Sequence, residues 1–206
     1  MPKISAGSIE INHSSVHFND LVSRMSLVAN LGRFGLDEGL VDLNDESITL
    51  EKLILAESEI RYLTDTTTRT DSKKEESNWK FAVNRIQLDK NALTYRVEGS
   101  QDSDTIFNPS NLEIDLETLA GSDLHHSPER SGARIGRFSA TDQNGFAITR
   151  FETVFSMDNR AVQANNLHLE TTRSASAADL QVRYASLQTL QDSILSASFA
   201  LDLQQM

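Results

Sequence analysis

The sequence predicts an all-β fold in which repeated short strands stack into one long sheet. Three observations carry this. Apolar residues recur at every second position in segment after segment, a longer apolar pattern repeats along the chain, and the breaks between apolar segments are polar.

Taken in order, Met25, Leu27, Ala29 and Leu31 alternate with mostly polar neighbours. Ile48/Leu50, Leu53/Leu55, Phe81/Val83, Ile86/Leu88 and Tyr95/Val97 do the same. Leu112, Ile114 and Leu116 follow, then Phe151, Phe155 and Met157, then Leu167 and Leu169, then Leu180, Val182 and Tyr184. Alternation of this kind puts one set of side chains on each face of a sheet, so every strand has an oily side and a wet side.

The longer pattern is apolar-x-apolar-x-x-apolar-x-apolar. It occurs at Ile48/Leu50/Leu53/Leu55, again at Phe81/Val83/Ile86/Leu88, and in weaker form at Val162/Ala164/Leu167/Leu169, with a partial copy at Phe146/Ile148/Phe151. In the first two copies a small polar residue (Ser58, Asn91) stands three positions on, followed by Ile60-Arg61-Tyr62 or Leu93-Thr94-Tyr95. In an unbroken strand the two-residue gap would turn the second apolar pair to the wrong face. A bend or bulge must restore the facing, so the unit reads as strand, corner, strand, turn, strand. Its repetition points to strands stacked side by side.

The breaks fall at 64–78 (TDTTTRTDSKKEESN), which has no apolar residue and reads as a loop, at 98–105, and at 121–132. Asn144-Gly145 signals a tight turn. Leu21/Met25/Val28 and Leu187/Leu190/Ile194 have helical spacing, enough for one short helix each. The whole chain, 1–206, therefore reads as a single repetitive β-segment. Both ends interrupt alternating stretches, so a fragment of a much longer protein is expected.

Composition narrows the function classes. Hydrophobic residues make up 38% of the chain, few for a compact domain, which points to a thin or elongated body. The net charge of −11 and pI of about 4.8 argue against nucleic acid and against adhesion to anionic headgroups, but not against holding acyl chains. The chain has no cysteine, which removes disulfides, thiolate metal sites and cysteine nucleophiles. No apolar run approaches the roughly 18 residues of a membrane helix, and no signal peptide precedes the first strand.

The search for catalysis is negative. His13 and His17 stand four apart in extended sequence, and His125 and His126 in a polar stretch beside Pro128, so they read as surface histidines. Asp37/Glu38, Asp45/Glu46, Glu75/Glu76 and Asp102/Asp104 sit among polar neighbours and lack the apolar setting of a general acid. There is no Gly-x-Ser-x-Gly, P-loop or Gly-x-Gly-x-x-Gly. No cofactor or metal is implied, and the expectation is a non-enzyme.

The order of these signals resembles a known family. Leu53-x-Leu55 with Ser58-to-Tyr62 is similar to a strand run of TamB-like translocation and assembly proteins, the AsmA-like group. Trp79-x-Phe81-x-Val83-x-x-Ile86-x-Leu88 with Leu93-Thr94-Tyr95 resembles the next strand set. Phe138-Ser139-Ala140-Thr141-Asp142-x-x-Gly145-Phe146-x-Ile148-x-x-Phe151, and Leu167-to-Ser174 with Tyr184-to-Leu187, resemble later segments. The likeness covers roughly residues 45–190, looks closest to Bacteroidetes-type versions, and rests on order, since none of its motifs is an active-site signature.

The resemblance implies an elongated, curled, antiparallel-type sheet, a taco-like groove lined by apolar residues. It also implies a periplasmic middle section of an inner-membrane-anchored protein. That family is associated with phospholipid movement between the membranes and with outer-membrane protein assembly, through a barrel-assembly partner met by regions absent here. On that reading the groove is lined by Met25, Leu27, Ile48, Leu50, Phe81, Val83, Leu112, Ile114, Phe151, Phe155, Met157, Leu167 and Leu169, and its ligands are phospholipid acyl chains. The alternative is a structural or adhesive β-solenoid or sandwich whose apolar faces pack together with no groove. A carbohydrate-active β-helix would need clustered carboxylates, which the sequence does not show.

Overall fold

The computed structural model describes residues 2–22, 24–65, 78–99, 108–186 and 198–204. They form eleven strands: β1 (Lys3–Asp20), β2 (Met25–Asp42), β3 (Ser47–Ala56), β4 (Glu59–Asp65), β5 (Lys80–Glu98), β6 (Asn111–His126), β7 (Arg130–Asp142), β8 (Ala147–Asp158), β9 (Ala161–Thr171), β10 (Ala175–Arg183) and β11 (Ser198–Gln204). All belong to one sheet, in the order β1-β2-β3-β5-β6-β7-β8-β9-β10-β11. β4 continues the lane of β3 between β2 and β5. Pairing is antiparallel except where β3 and β4 meet β5, which is parallel. The fold is all-β, as the alternation predicts.

The repeat read from the sequence is visible as neighbouring strands. Ile48, Leu50, Leu53 and Leu55 pair with Phe81, Val83, Ile86 and Leu88, and Ile60 and Tyr62 pair with Leu93 and Tyr95. The two copies thus lie side by side in register, and the two equivalent tyrosines stack at 5.9 Å with their rings 8° apart.

From β1 to β6 the two-residue gaps align from strand to strand as two creases. Crease I passes through Gly7-Ser8, Asp37-Glu38, Glu51-Lys52, Asn84-Arg85 and Ser122-Asp123. Crease II passes through Asn12-His13, Gly32-Arg33, Ala56-Glu57, Asp89-Lys90 and Glu117-Thr118. The segment expected as a turn after Leu55 is therefore a second corner in line with its neighbours. In five of these ten gaps the second residue is left-handed: His13, Glu38, Glu57, Lys90 and Asp123 have φ of 49°, 48°, 51°, 52° and 56°. Asn166 does the same in β9, at φ 52°. Such a residue resets the facing and bends the strand. A Cβ on Gly39 would meet Leu36 at 3.0 Å and Leu50 at 3.4 Å, so Leu36 and Gly39 face the same way across Glu38.

Hairpins are closed by the last polar residue of the outgoing strand. Asp42 accepts the Asn44 and Asp45 N–H groups at 2.9 and 3.4 Å. Asp142 accepts those of Asn144 and Phe146 at 2.8 and 2.9 Å, with Gly145 at φ 78° between them. Asp158 accepts those of Arg160 and Ala161 at 2.7 and 2.8 Å. Short Asx-type turns follow from these aspartates.

Four sequence expectations change. The break expected at 121–132 is only Ser127–Glu129, because Gly121 to His126 remain in β6 and β7 starts at Arg130. His125 and His126 accordingly lie in a strand. Leu21 and Val22 form a turn and Met25 opens β2, so no helix forms there: the spacing of three and four arises across a hairpin. Thr64 and Asp65 belong to β4, and the rest of the 64–78 stretch to Ser77, like the helical option at Leu187–Ile194, lies outside the described residues.

Candidate functional site

Cross-strand partners point to the same side of a sheet, so the pairing assigns every inward position. Phe18, Leu27, Tyr62, Tyr95 and Leu112 form one row across five lanes, and Val16, Ala29, Ile60, Leu93 and Ile114 the next. Beyond crease II come Ile11, Phe34, Leu55, Leu88, Leu119 and Phe138. Beyond crease I, Ala6, Gly39, Leu50, Val83 and Leu124 form a row, with Ile4, Val41, Ile48, Phe81 and His126 outside it.

The thirteen residues expected to line a groove share this one face. Met25 accepts the Tyr62 hydroxyl on its sulfur at 3.0 Å. Leu27, Leu112 and Ile114 stand in the first two rows, and Ile48, Leu50, Phe81 and Val83 in the last two. Phe151 meets Phe138 edge-on at 6.1 Å and pairs with Leu169, two residues beyond Leu167. Met157 joins the His126 row through Ser131, and Phe155 stands two residues before it. Sequence reasoning left out Phe34, Leu36, Leu119 and nearly all of β1. The five-residue period in Ile4/Ala6/Ile9/Ile11/Ser14/Val16 was the signal that could have found β1.

Three properties define this face. Between the strand ends no Asp, Glu, Lys or Arg occupies an inward position from β1 to β9 among the described residues. All the described strands belong to one sheet, so no second sheet packs on this face among the described residues. Finally, Phe81, Leu124 and Ile9 remain 43%, 40% and 40% exposed, although Val83, which pairs with Leu124, is buried. It is an apolar surface that is built but not closed.

The opposite face carries the charges. Glu51 accepts from Asn84 at 2.6 Å and Arg85 at 2.9 Å. Arg61 pairs with Glu59, Arg96 with Glu113, and Arg150 with Glu152 at 2.7 Å. The bonds from Asn84 and Arg85 hold the Glu51 carboxyl below the usual carboxylate range; Arg61 and Asn30 do so for Glu59, and Arg150 for Glu152. At the strand ends a cavity of about 870 Å³ opens between Ile48, Phe81, His125, His126, Lys80 and Arg130. No group of His, Asp and Glu with the arrangement of a metal site occurs among the described residues, and they include no helix long and apolar enough to cross a membrane.

No family model matches the chain, and no curated protein matches it.

Proposed function

We propose that the uncharged, uncovered face is a trough for acyl chains, and that this chain is a section of a periplasmic protein conducting phospholipid between the inner and outer membranes. The observation that carries the reading is an apolar face many strands wide with no second sheet over it among the described residues. The likeness of the order of its sequence motifs to that of TamB-like proteins supports it. Ten lanes at about 4.8 Å span roughly 43 Å, enough to seat an acyl chain along the rows. Each methylene leaving water contributes about 0.8 kcal/mol before ordering costs. Successive rows offer similar contacts, so a tail slides with little net gradient while its headgroup stays wet beyond the strand ends. The work is binding and conduction, with no bond made or broken. A partner in outer-membrane barrel assembly would be met by regions outside this chain.

Leu88 and Gln87 are adjacent and face opposite ways, so a photo-crosslinker at each tests the trough at the same depth. Lipid labelling at 88 and not at 87, read by mass spectrometry of the purified protein, is expected. Equal labelling at both positions removes the trough.

A further inference from the structure

We propose that the cleft of about 870 Å³ at the ends of β3, β5, β6 and β7 binds a phosphate ester, held on the outer face by Lys80, Arg130 and His125. The site lies on the charged side of the sheet, so it stands or falls separately from the trough.

The strand register gives the cleft its shape. Ser47 pairs with Lys80, and the Ser127 N–H donates to the Arg130 carbonyl at 2.8 Å to close the β6–β7 hairpin. These four residues stand along one outward row. In the next outward row Thr49, Ala82, His125 and Gly132 are successive cross-strand partners. Ala82 and Gly132 flank His125 with almost no side chain, which hollows the wall between longer neighbours. The imidazole leans over Gly132, where a Cβ would come 2.6 Å from His125 Cε1. His125 Nδ1 is 2.9 Å from the Asp123 carbonyl. A carbonyl oxygen only accepts, so Nδ1 carries the hydrogen and Nε2 is left for a ligand.

Charge decides the ligand. The chain carries a net −11, yet along this cleft two cations face a single carboxylate, Glu129. Elsewhere on the outer face Arg61, Arg85, Arg96 and Arg150 are neutralised by glutamates. Among the described residues Lys80 and Arg130 have no such partner. Asp158, opposite Arg130, instead accepts the Arg160 and Ala161 N–H groups. Lys80 and Arg130 stand two lanes apart, roughly 10 Å at the backbone, a span that both side chains close around one anion. The guanidinium fork takes two phosphate oxygens and the ammonium a third, one more than a carboxylate offers. The cleft exceeds a bare phosphate and has the size of small-ligand sites, which leaves room for the esterified group.

Two probes separate a soluble ester from a lipid headgroup. Glycerol 3-phosphate is followed by calorimetry, and phosphatidylcholine vesicles with or without phosphatidylglycerol by co-sedimentation. Saturable binding of either probe is expected and identifies the source. The double variant Lys80→Gln/Arg130→Gln should weaken it about tenfold or more. Both residues are exposed, so the Tm should not move. Ala82→Leu fills the hollow without changing charge and should weaken binding as well. Arg173→Gln removes an exposed cation at the opposite strand ends and should leave binding unchanged. No saturation by either probe up to about 10 millimolar overturns the proposal. So does an Arg173→Gln loss as large as that of the double variant, or an Ala82→Leu chain that binds like the parent.

Discussion

Crease I and crease II solve the same geometric problem in different ways. At crease I the strands run on unbroken: Leu50 pairs with Val83 and Lys52 with Arg85, only the Glu51–Asn84 position drops out of the ladder, and Glu51 there accepts from Asn84 and pairs with Arg85 on the outer side. At crease II the lane is cut between β3 and β4, which frees backbone groups in a buried place. Side chains replace the lost ladder. The Ser58 N–H donates to Asn91 Oδ1 at 3.1 Å, and Asn91 Nδ2 donates to the Leu55 carbonyl at 3.0 Å. The Gly32 N–H donates to Ser58 Oγ at 3.1 Å, and that hydroxyl donates to the Ala56 carbonyl at 2.9 Å. Ser58 and Asn91 are 3% and 2% exposed on a mostly apolar face. A crease is cheap where the ladder survives, and it needs a buried polar network where the ladder breaks.

The comparison breaks most sharply at the glycines. A Cβ on Gly32 would lie 2.3 Å from the Glu57 carbonyl oxygen and 2.8 Å from that of Ala56, both backbone. Gly32→Ala is expected to cost about 4 kcal/mol in urea unfolding. Gly39→Ala, at crease I, meets only the movable ends of Leu36 and Leu50 and should cost under about 1 kcal/mol. Equal losses would show that the creases do not differ.

Asn91→Leu comes next. It strands the Ser58 N–H and the Leu55 carbonyl, and about 3 kcal/mol should be lost. Ser58→Ala alone should cost about 1–2 kcal/mol. Because the two residues share one network, the double variant should lose clearly less than the sum. Additive losses would contradict the network.

Lys90→Gly sharpens the comparison with a gain. Lys90 is exposed and left-handed at φ 52°, so glycine should remove strain and stabilise by about 1 kcal/mol, while Lys90→Val should destabilise by a similar amount. Thermal melts of the two variants moving the same way would refute the left-handed corner.

How far the sequence foretold this depends on which residues carried the signal. The in-register copies were legible because Ile48–Tyr62 and Phe81–Tyr95 repeat the same apolar stations, and even Ser58 and Asn91 stood out as equivalent. Their burial was not legible, since a small polar residue after an apolar pair reads as a turn until a neighbouring lane supplies its partners. Gly121 misled for a related reason. A glycine amid Ser122, Asp123 and two histidines reads as loop, whereas here it lets Ile86 and the Arg134 carbonyl come close, the latter 2.8 Å from where a Cβ would stand. β1 was hidden because its stations are split by Gly7-Ser8 and Asn12-His13, and only the crease geometry identifies those as strand residues. The apolar face was legible residue by residue. That no second sheet among the described residues covers it was not, because alternation reads alike in an open sheet and in a sandwich.

The smallest effect concerns charge. Glu51, beside crease I, is bonded to Asn84 and Arg85 in solvent, so Glu51→Gln at neutral pH should leave the Tm nearly unchanged. Asp42 is different: it is 4% exposed and joined to Lys3 at 2.7 Å and to two turn N–H groups. Lys3 first, and then the Asn44 N–H, hold its carboxyl below the usual range. A carboxyl whose folded pKa is depressed stabilises fully above its unfolded value. That contribution fades as pH falls from about 5 through the folded value. The Tm of the parent chain should therefore fall on acidification across that window. Asp42→Asn should lower the Tm at pH 7 and flatten the acid limb, while Glu51→Gln leaves the limb nearly unchanged. An acid limb as steep in Asp42→Asn as in the parent would mean that the buried hairpin carboxylate is not what acid titrates.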